Sequence, residues 1–235
     1  AMEHNNWLNR KKLAGNIYAE VTPIKHLTWR TELGYDLGYS KAEVYNNEIT
    51  LYNWKEPNES SIQKNNTTFW QLKNYVTYNN TFAKKHSVTA MLGQECWESK
   101  WDYTKVRNTK LPSDAVPNPV LGTGTATIGV GFGSAAMASF FTRWTYSYDS
   151  RYNATYTYRY DGSSNFGPNN RWAGFHSFAT SWRFSNEKFV QAIAGKWLSN
   201  GKLRIGWGQT GNSNIKSYVW GINMQPVYTT LGNGY

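Results

Sequence analysis

Several residue classes are scarce here, and each scarcity removes a class of function. Cys96 is the only cysteine, so no disulfide can form within the chain. The four histidines, His4, His26, His86 and His176, show no close ligand spacing such as His-x-x-x-His. No metal site, no cofactor and no catalytic nucleophile is expected; Cys96 shares a side with Val88, Ala90 and Leu92, where a small buried or apolar-facing thiol fits. Long apolar runs are also missing. A membrane-spanning helix needs roughly 20 consecutive apolar residues, and no such run occurs in a chain whose mean hydropathy is -0.66. The opening Ala1-Met-Glu-His-Asn-Asn has neither the basic start nor the apolar stretch of a signal peptide. Acidic residues are few, 15 against 25 Lys and Arg, for a net charge of +10. The excess is dispersed, as in Lys11-Lys12, Lys84-Lys85, Arg151 and Arg159, without a dense basic run or an RNA-binding signature, so no nucleic-acid partner is expected. Gly122 to Gly133 is glycine-rich but lacks the Gly-Lys-Ser/Thr ending of a phosphate loop.

What is abundant is aromatic: 12 Trp, 17 Tyr and 10 Phe, 17% of the chain. Their placement is periodic. In Arg151-Tyr-Asn-Ala-Thr-Tyr-Thr-Tyr-Arg-Tyr160, residues Tyr152, Ala154, Tyr156, Tyr158 and Tyr160 alternate with Arg151, Asn153, Thr155, Thr157 and Arg159. This is a two-faced β-strand, suited to an aromatic-rimmed apolar medium on one side and water on the other. Leu27, Trp29, Leu33, Tyr35 and Leu37 alternate with Thr28, Arg30, Glu32, Gly34 and Asp36. Ala136, Ala138, Phe140, Trp144, Tyr146 and Tyr148 do so between Ser134 and Asp149, with Phe141 the main intruder. Such strands exceed the five or six residues usual in soluble sheets and match the nine to eleven that cross hydrocarbon at a tilt. A soluble aromatic-rich β-sandwich or barrel is the rival reading of composition alone.

The expected fold is therefore all-β and antiparallel, a membrane-type barrel or partial barrel. Further strands are predicted near 13 to 21, 42 to 52, 68 to 79, 86 to 101, 172 to 184, 201 to 209 and 217 to 229, about ten in all. Asp149 and Ser150 suit a tight turn between two aromatic-ended strands. The Gly, Pro, Asn and Ser of Asp161 to Arg171 mark an irregular loop at the opposite end. From Asp102 to Gly133 the alternation is lost, which predicts one long loop, with a short helix possible at Leu111-Pro-Ser-Asp.

The stretches Tyr158-Arg-Tyr-Asp-Gly-Ser-Ser-Asn-Phe-Gly, Phe175-His-Ser-Phe-Ala-Thr-Ser-Trp-Arg-Phe-Ser-Asn-Glu and Leu203-Arg-Ile-Gly-Trp-Gly-Gln-Thr-Gly-Asn resemble, in order and spacing, the barrel of SusC/RagA-family TonB-dependent transporters. Trp29-Arg-Thr-Glu-Leu-Gly-Tyr and Ala90-Met-Leu-Gly-Gln-Glu are similar to further strands of that barrel. The resemblance implies an outer-membrane importer of glycans or peptides in Bacteroidetes-type bacteria. It implies TonB and a SusD-like surface lipoprotein as partners, and a full-length parent with a plug and a 22-stranded barrel. Residues 1 to 235 would then be a partial barrel without plug or signal peptide, not competent to transport alone. Its open strand edges would invite self-association. Outer-membrane lipid would be its surroundings, and anionic lipopolysaccharide or an acidic substrate would suit its charge.

Under that implication Trp144, Tyr146, Tyr152, Tyr156 and Tyr158 are the candidates for a membrane-facing band. Aromatic residues in loops can stack on sugar rings while short polar side chains hydrogen-bond to hydroxyls. Trp54, Asp161, Asn165, Phe166, Asn169, Arg171 and Trp172 are therefore the substrate-binding candidates. The alternative is a soluble carbohydrate-binding module or glycoside-active enzyme, which requires a convergent carboxylate pair. Glu95 and Glu98 are three apart on a strand and face opposite ways, whereas Glu20 and Glu32 could meet across a hairpin. No catalytic residue is expected.

Overall fold

The computed structural model describes residues 5–47, 49–51, 54–113, 115–194, 197–213 and 215. Strands β1 (Asn5–Ile24), β2 (Leu27–Asn46), β5 (Glu59–Phe82), β6 (His86–Thr109), β7 (Thr127–Tyr148), β8 (Tyr152–Ser163), β9 (Trp172–Trp182) and β10 (Leu203–Gly208) form one antiparallel sheet. Each pairs with its neighbour in that order, and among the described residues β1 and β10 do not meet, so the sheet is open. A separate ribbon of β3 (Ile49–Leu51) and β4 (Trp54–Glu56) occupies the connection from β2 to β5. A short helix, α1 (Lys188–Ala194), lies between β9 and β10.

The sheet thus has eight strands where the alternation predicts about ten. The candidate at 27 to 37 and the first half of that at 42 to 52 are one strand, Leu27–Asn46, with 49 to 51 falling in the separate ribbon, and the candidate at 217 to 229 lies outside the described residues. The other long strands also overrun their predicted limits. On β2 the apolar side runs Leu27, Trp29, Leu33, Tyr35, Leu37 and then turns to Tyr39, Lys41 and Glu43, while pairing to β5 continues without a break to Asn46. Where both faces of a strand meet water, hydropathy no longer alternates, although the backbone ladder is intact.

The predicted loop from 102 to 133 is corrected most. Strand β6 runs on to Thr109 and β7 starts at Thr127, so only 110 to 126 connect them. The glycines that signal a loop are part of a packing device. Gly131 and Gly133 lie directly opposite Tyr103 and Trp101. A Cβ on Gly133 would fall 2.7 Å from the Trp101 indole, and one on Gly131 would collide with the Tyr103 ring. The two rings lie across the glycine positions, stacked on each other at 6.3 Å, while Ile128, Val130 and Phe132 stand exposed on the opposite face. Phe141, the intruder of β7, is a third instance: its ring lies over Gly93 of β6.

No helix forms at 111 to 113. Leu111 is buried and tied to Asn58 by two hydrogen bonds, its N–H donating to Asn58 Oδ1 at 2.7 Å and its carbonyl accepting from Asn58 Nδ2 at 3.0 Å. Asp114 lies outside the described residues. The 3-10 turn of this connection is at Pro119–Leu121, capped by Asn118, whose side chain accepts from Val120 N.

At one end of the sheet the connections are tight. Asp149 and Ser150 both take left-handed φ, 48° and 53°, the geometry of a two-residue turn that matches strand twist. Lys25-His26 and Ala83 to Lys85 make the other short turns at this end, where α1 also sits. The ribbon and the connections at 110 to 126 and 164 to 171 lie at the opposite end.

Candidate functional site: two faces and a loop cavity

The register sorts the side chains into two faces. One row of the apolar face reads Ile17, Leu33, Leu72, Cys96 and Ala138. Another carries Trp144 opposite Tyr156, with Tyr158 facing Thr142, Tyr146 facing Ala154, and Tyr148 facing Tyr152. All five band candidates, Trp144, Tyr146, Tyr152, Tyr156 and Tyr158, therefore share this face. Among the described residues the buried hydrophobic side chains are only Tyr45, Leu111 and Ala194, and the apolar face stands open. On β2 the apolar positions run from Leu27 to Leu37. At about 3.3 Å per residue and a tilt near 45°, that stretch is roughly 25 Å tall, the height of a lipid-facing band.

The opposite face is polar and cross-linked. Arg30 donates through Nε to Glu32 at 2.6 Å and through an Nη to Glu20 at 3.2 Å, and its guanidinium lies 4.1 Å from the Tyr18 ring centroid. The Tyr75 hydroxyl donates to Glu32 at 3.2 Å. Further along, Glu95 accepts from Gln71, pairs with Lys73 at 3.6 Å and takes Arg159 at 3.3 Å. Arg159 also reaches Asp161 at 2.7 Å and the buried Ser139 hydroxyl at 2.8 Å. Glu20 and Glu32 do meet across the hairpin, as the sequence allows, but they share one arginine. Glu98 is on the apolar side with Trp70 at 3.2 Å and Lys100 at 3.0 Å, away from Glu95. Sequence reasoning misses this network as a unit. Its signal is weak: the partners that join one strand to another lie 10 residues apart for Glu20 and Arg30 and 64 apart for Glu95 and Arg159.

Asp161 links this network to a cavity of about 310 Å³ at the loop end, lined in part by Asp161, Phe166, Asn170, Arg171, Phe175 and Asn212. Three of the substrate-binding candidates, Asp161, Phe166 and Arg171, thus converge. Asn165 ties the cavity's loops together, donating through Nδ2 to the Ser213 carbonyl at 3.0 Å. Asn169 sits exposed in the 3-10 turn Pro168–Asn170 and is not among the lining residues. Trp172 belongs to the apolar face, stacked on Tyr160 at 5.1 Å and Phe140 at 6.2 Å. Trp54 opens β4, on a connection separated from the cavity by β5, β6 and β7; only its backbone is described. Among the described residues no group of three or more His, Cys, Asp or Glu could hold a metal ion.

At the short-turn end Glu187 is buried and accepts from the Tyr152 hydroxyl at 2.6 Å and from the Trp182 indole N–H at 3.1 Å, with Arg151 at 3.1 Å. These donors, the Tyr152 hydroxyl foremost, hold its carboxyl below the ordinary carboxylate range.

No family model matches the chain. It is 30% identical over 227 residues to TonB-dependent receptor P3 of Formosa agariphila, covering 93% of this chain and 22% of that protein. It is 46% identical over 79 residues to the TonB-dependent receptor SusC of Bacteroides thetaiotaomicron, covering 34% of this chain and 8% of that one. The fold superimposes on the RagAB peptide importer in its open-open state with a TM-score of 0.82 and 27% identity, covering 92% of this chain and 24% of that chain. The chain spans about a fifth of the length of the first curated relatives it matches. Over nine tenths of its own length, then, the chain is similar in sequence and in fold to TonB-dependent receptors of the SusC and RagA type.

Proposed function

We propose that this chain supplies wall, polar lumen lining and external loops to an outer-membrane importer of oligosaccharides or peptides driven by TonB. The observation that carries the reading is the sheet itself, with one exposed apolar face of membrane height, one ion-paired polar face, and almost no buried hydrophobic core. The apolar face meets lipid, the polar face lines the lumen, the tight turns face the periplasm and the long connections face outward. A SusD-like lipoprotein would cover the loop end. TonB would act through parts of the receptor that these strands do not form. The eight described strands form an open sheet that encloses no lumen, so transport belongs to the whole receptor, and the edges at β1 and β10, unpaired among the described residues, can pair with further strands or with a second copy. The relatives are receptors and a peptide importer, and the carboxylates considered for hydrolysis are engaged in ion pairs, so no catalysis is assigned.

Within this reading, Asp161, Phe166 and Arg171 form a substrate contact at the outer mouth. Two measurements test it. Purified with and without detergent, the chain should be monodisperse only in detergent; a compact monomer in plain buffer would overturn the membrane reading. In a full-length receptor, Arg171→Ala should weaken binding of oligopeptide or oligosaccharide on the order of tenfold, the loss of one charge-assisted hydrogen bond. Unchanged binding at equal surface abundance would remove the cavity from the substrate path.

A further inference from the structure

Helix α1 carries more apolar surface than the chain covers. Val190, Ala194 and Leu198 follow one another at steps of four and turn inward, half-buried, buried and half-buried. The Ala194 carbonyl at the end of α1 accepts from Trp197 N at 3.1 Å and Leu198 N at 2.8 Å. On the adjoining line, at the same spacing, stand Phe189, Ile193 and Trp197, exposed by 59%, 84% and 79%. Neighbouring lines on a helix make one continuous arc, so half of an apolar surface is packed and the other half has no cover.

The helix is held at one definite place. Glu187, which immediately precedes it, binds the side chains of Tyr152 and Trp182, and these two lie directly opposite each other on the apolar face. That pair is the last row of the face at the short-turn end. Beside Trp182 in the register come Leu203 and then Ile205, both exposed. From Ile205 the face opens into an apolar groove of about 440 Å³ between the rings of Trp144, Tyr156, Phe178 and Trp207. The anchor of α1 is thus the end row of the surface proposed above to meet hydrocarbon. Lys188, Gln191 and the small Ala192 occupy the rest of the helix, the first two a cation and an amide suited to headgroups.

We propose that α1 is an interfacial helix, which lays Phe189, Ile193 and Trp197 into the boundary between headgroups and acyl chains of the leaflet at the short-turn end. Its occupant is phospholipid. The inference rests on the membrane reading above, and its test separates the two. Single cysteines carrying a bimane label are placed in a full-length receptor that contains this segment, in bilayers of phosphatidylethanolamine and phosphatidylglycerol with a fraction of brominated chains. The substitutions are Phe140→Cys on the apolar face, Ile193→Cys and Gln191→Cys on the helix, and Lys84→Cys in a short turn. Quenching at 140 and 193, with 193 exceeding 191 by on the order of twofold and 84 unquenched, is the expected result. Quenching at 140 but not at 193 overturns the interfacial helix and leaves the membrane reading standing. No quenching at 140 overturns the membrane reading, and this inference with it. A label at Phe189→Cys repeats the comparison should Ile193→Cys fail to assemble.

Discussion

The two faces of this sheet share every strand and every backbone hydrogen bond, yet they are stabilised in opposite ways. Among the described residues the apolar face packs against little within the chain, and under the membrane reading proposed above it is stabilised by the medium outside. The polar face is cross-linked by side chains along and across neighbouring strands, Arg30 with Glu20 and Glu32, and Arg159 with Glu95, Asp161 and Ser139. One face depends on its solvent and the other on its partners, so a substitution should be judged by the face it falls on before its chemistry is considered.

Adjacent residues of β2 give the largest contrast. Leu33 lies near the middle of the apolar band, and Gly34 beside it points to the polar face, where an added Cβ meets nothing within 4 Å. Leu33→Arg places a charge at mid-depth in hydrocarbon and should cost about 2 to 4 kcal/mol. Gly34→Arg should change stability by no more than about 0.5 kcal/mol, because the space its side chain enters is open. Denaturant titration of the receptor folded into lipid vesicles measures both. Equal costs at 33 and 34 would abolish the distinction between the faces.

A second contrast concerns the glycines of β7. Gly129, Gly131 and Gly133 look like flexible loop in sequence, but in the sheet Gly133 makes room for the Trp101 ring. Gly133→Val should cost about 1 to 3 kcal/mol through overpacking. Adding Trp101→Ala should return part of that cost, because the two sites are in contact and do not act additively. If the double variant is no more stable than the sum of the singles predicts, the ring is not what requires the glycine.

These cases also show how much of the molecule is legible in sequence. Period-two patterning at Tyr152 to Tyr160 and Leu27 to Leu37 marks strands and faces because one face of each strand avoids water. The signal fades at Tyr39, Lys41 and Glu43, where both faces are wet, and again at Gly129 to Gly133, where the missing side chains are replaced by rings from β6. The loop candidates at 161 to 171 are legible by composition, and three of them meet at one cavity. Trp172 reads as loop only because it adjoins one; in the register it faces Gly162 on the apolar side. Helix α1 goes unpredicted, since seven residues give too few repeats of a 3.6-residue period to stand out from the alternation around them.

The smallest expected effect is one of pH, at the joint between the apolar face and α1. The Tyr152 hydroxyl and the Trp182 indole N–H donate to Glu187, Arg151 adds its charge, and the folded carboxyl is held below its ordinary value of 4.5. A carboxylate whose folded value is depressed contributes stability that is fully present above its unfolded value and is lost as pH falls through the folded one. The attachment of α1 should therefore be constant at neutral pH and weaken as pH drops below about 4.5, the unfolded glutamate value. Hydrogen exchange at the Gln191 amide, which donates to the Glu187 carbonyl at 2.9 Å, reports on it. Wild-type protection should fall across that acidic range. Glu187→Gln should exchange faster at neutral pH and show little further change on acidification. A wild-type profile as flat as that of Glu187→Gln would mean that the helix is held by Val190, Ala194 and Leu198 alone, and that the carboxylate is a bystander at the rim.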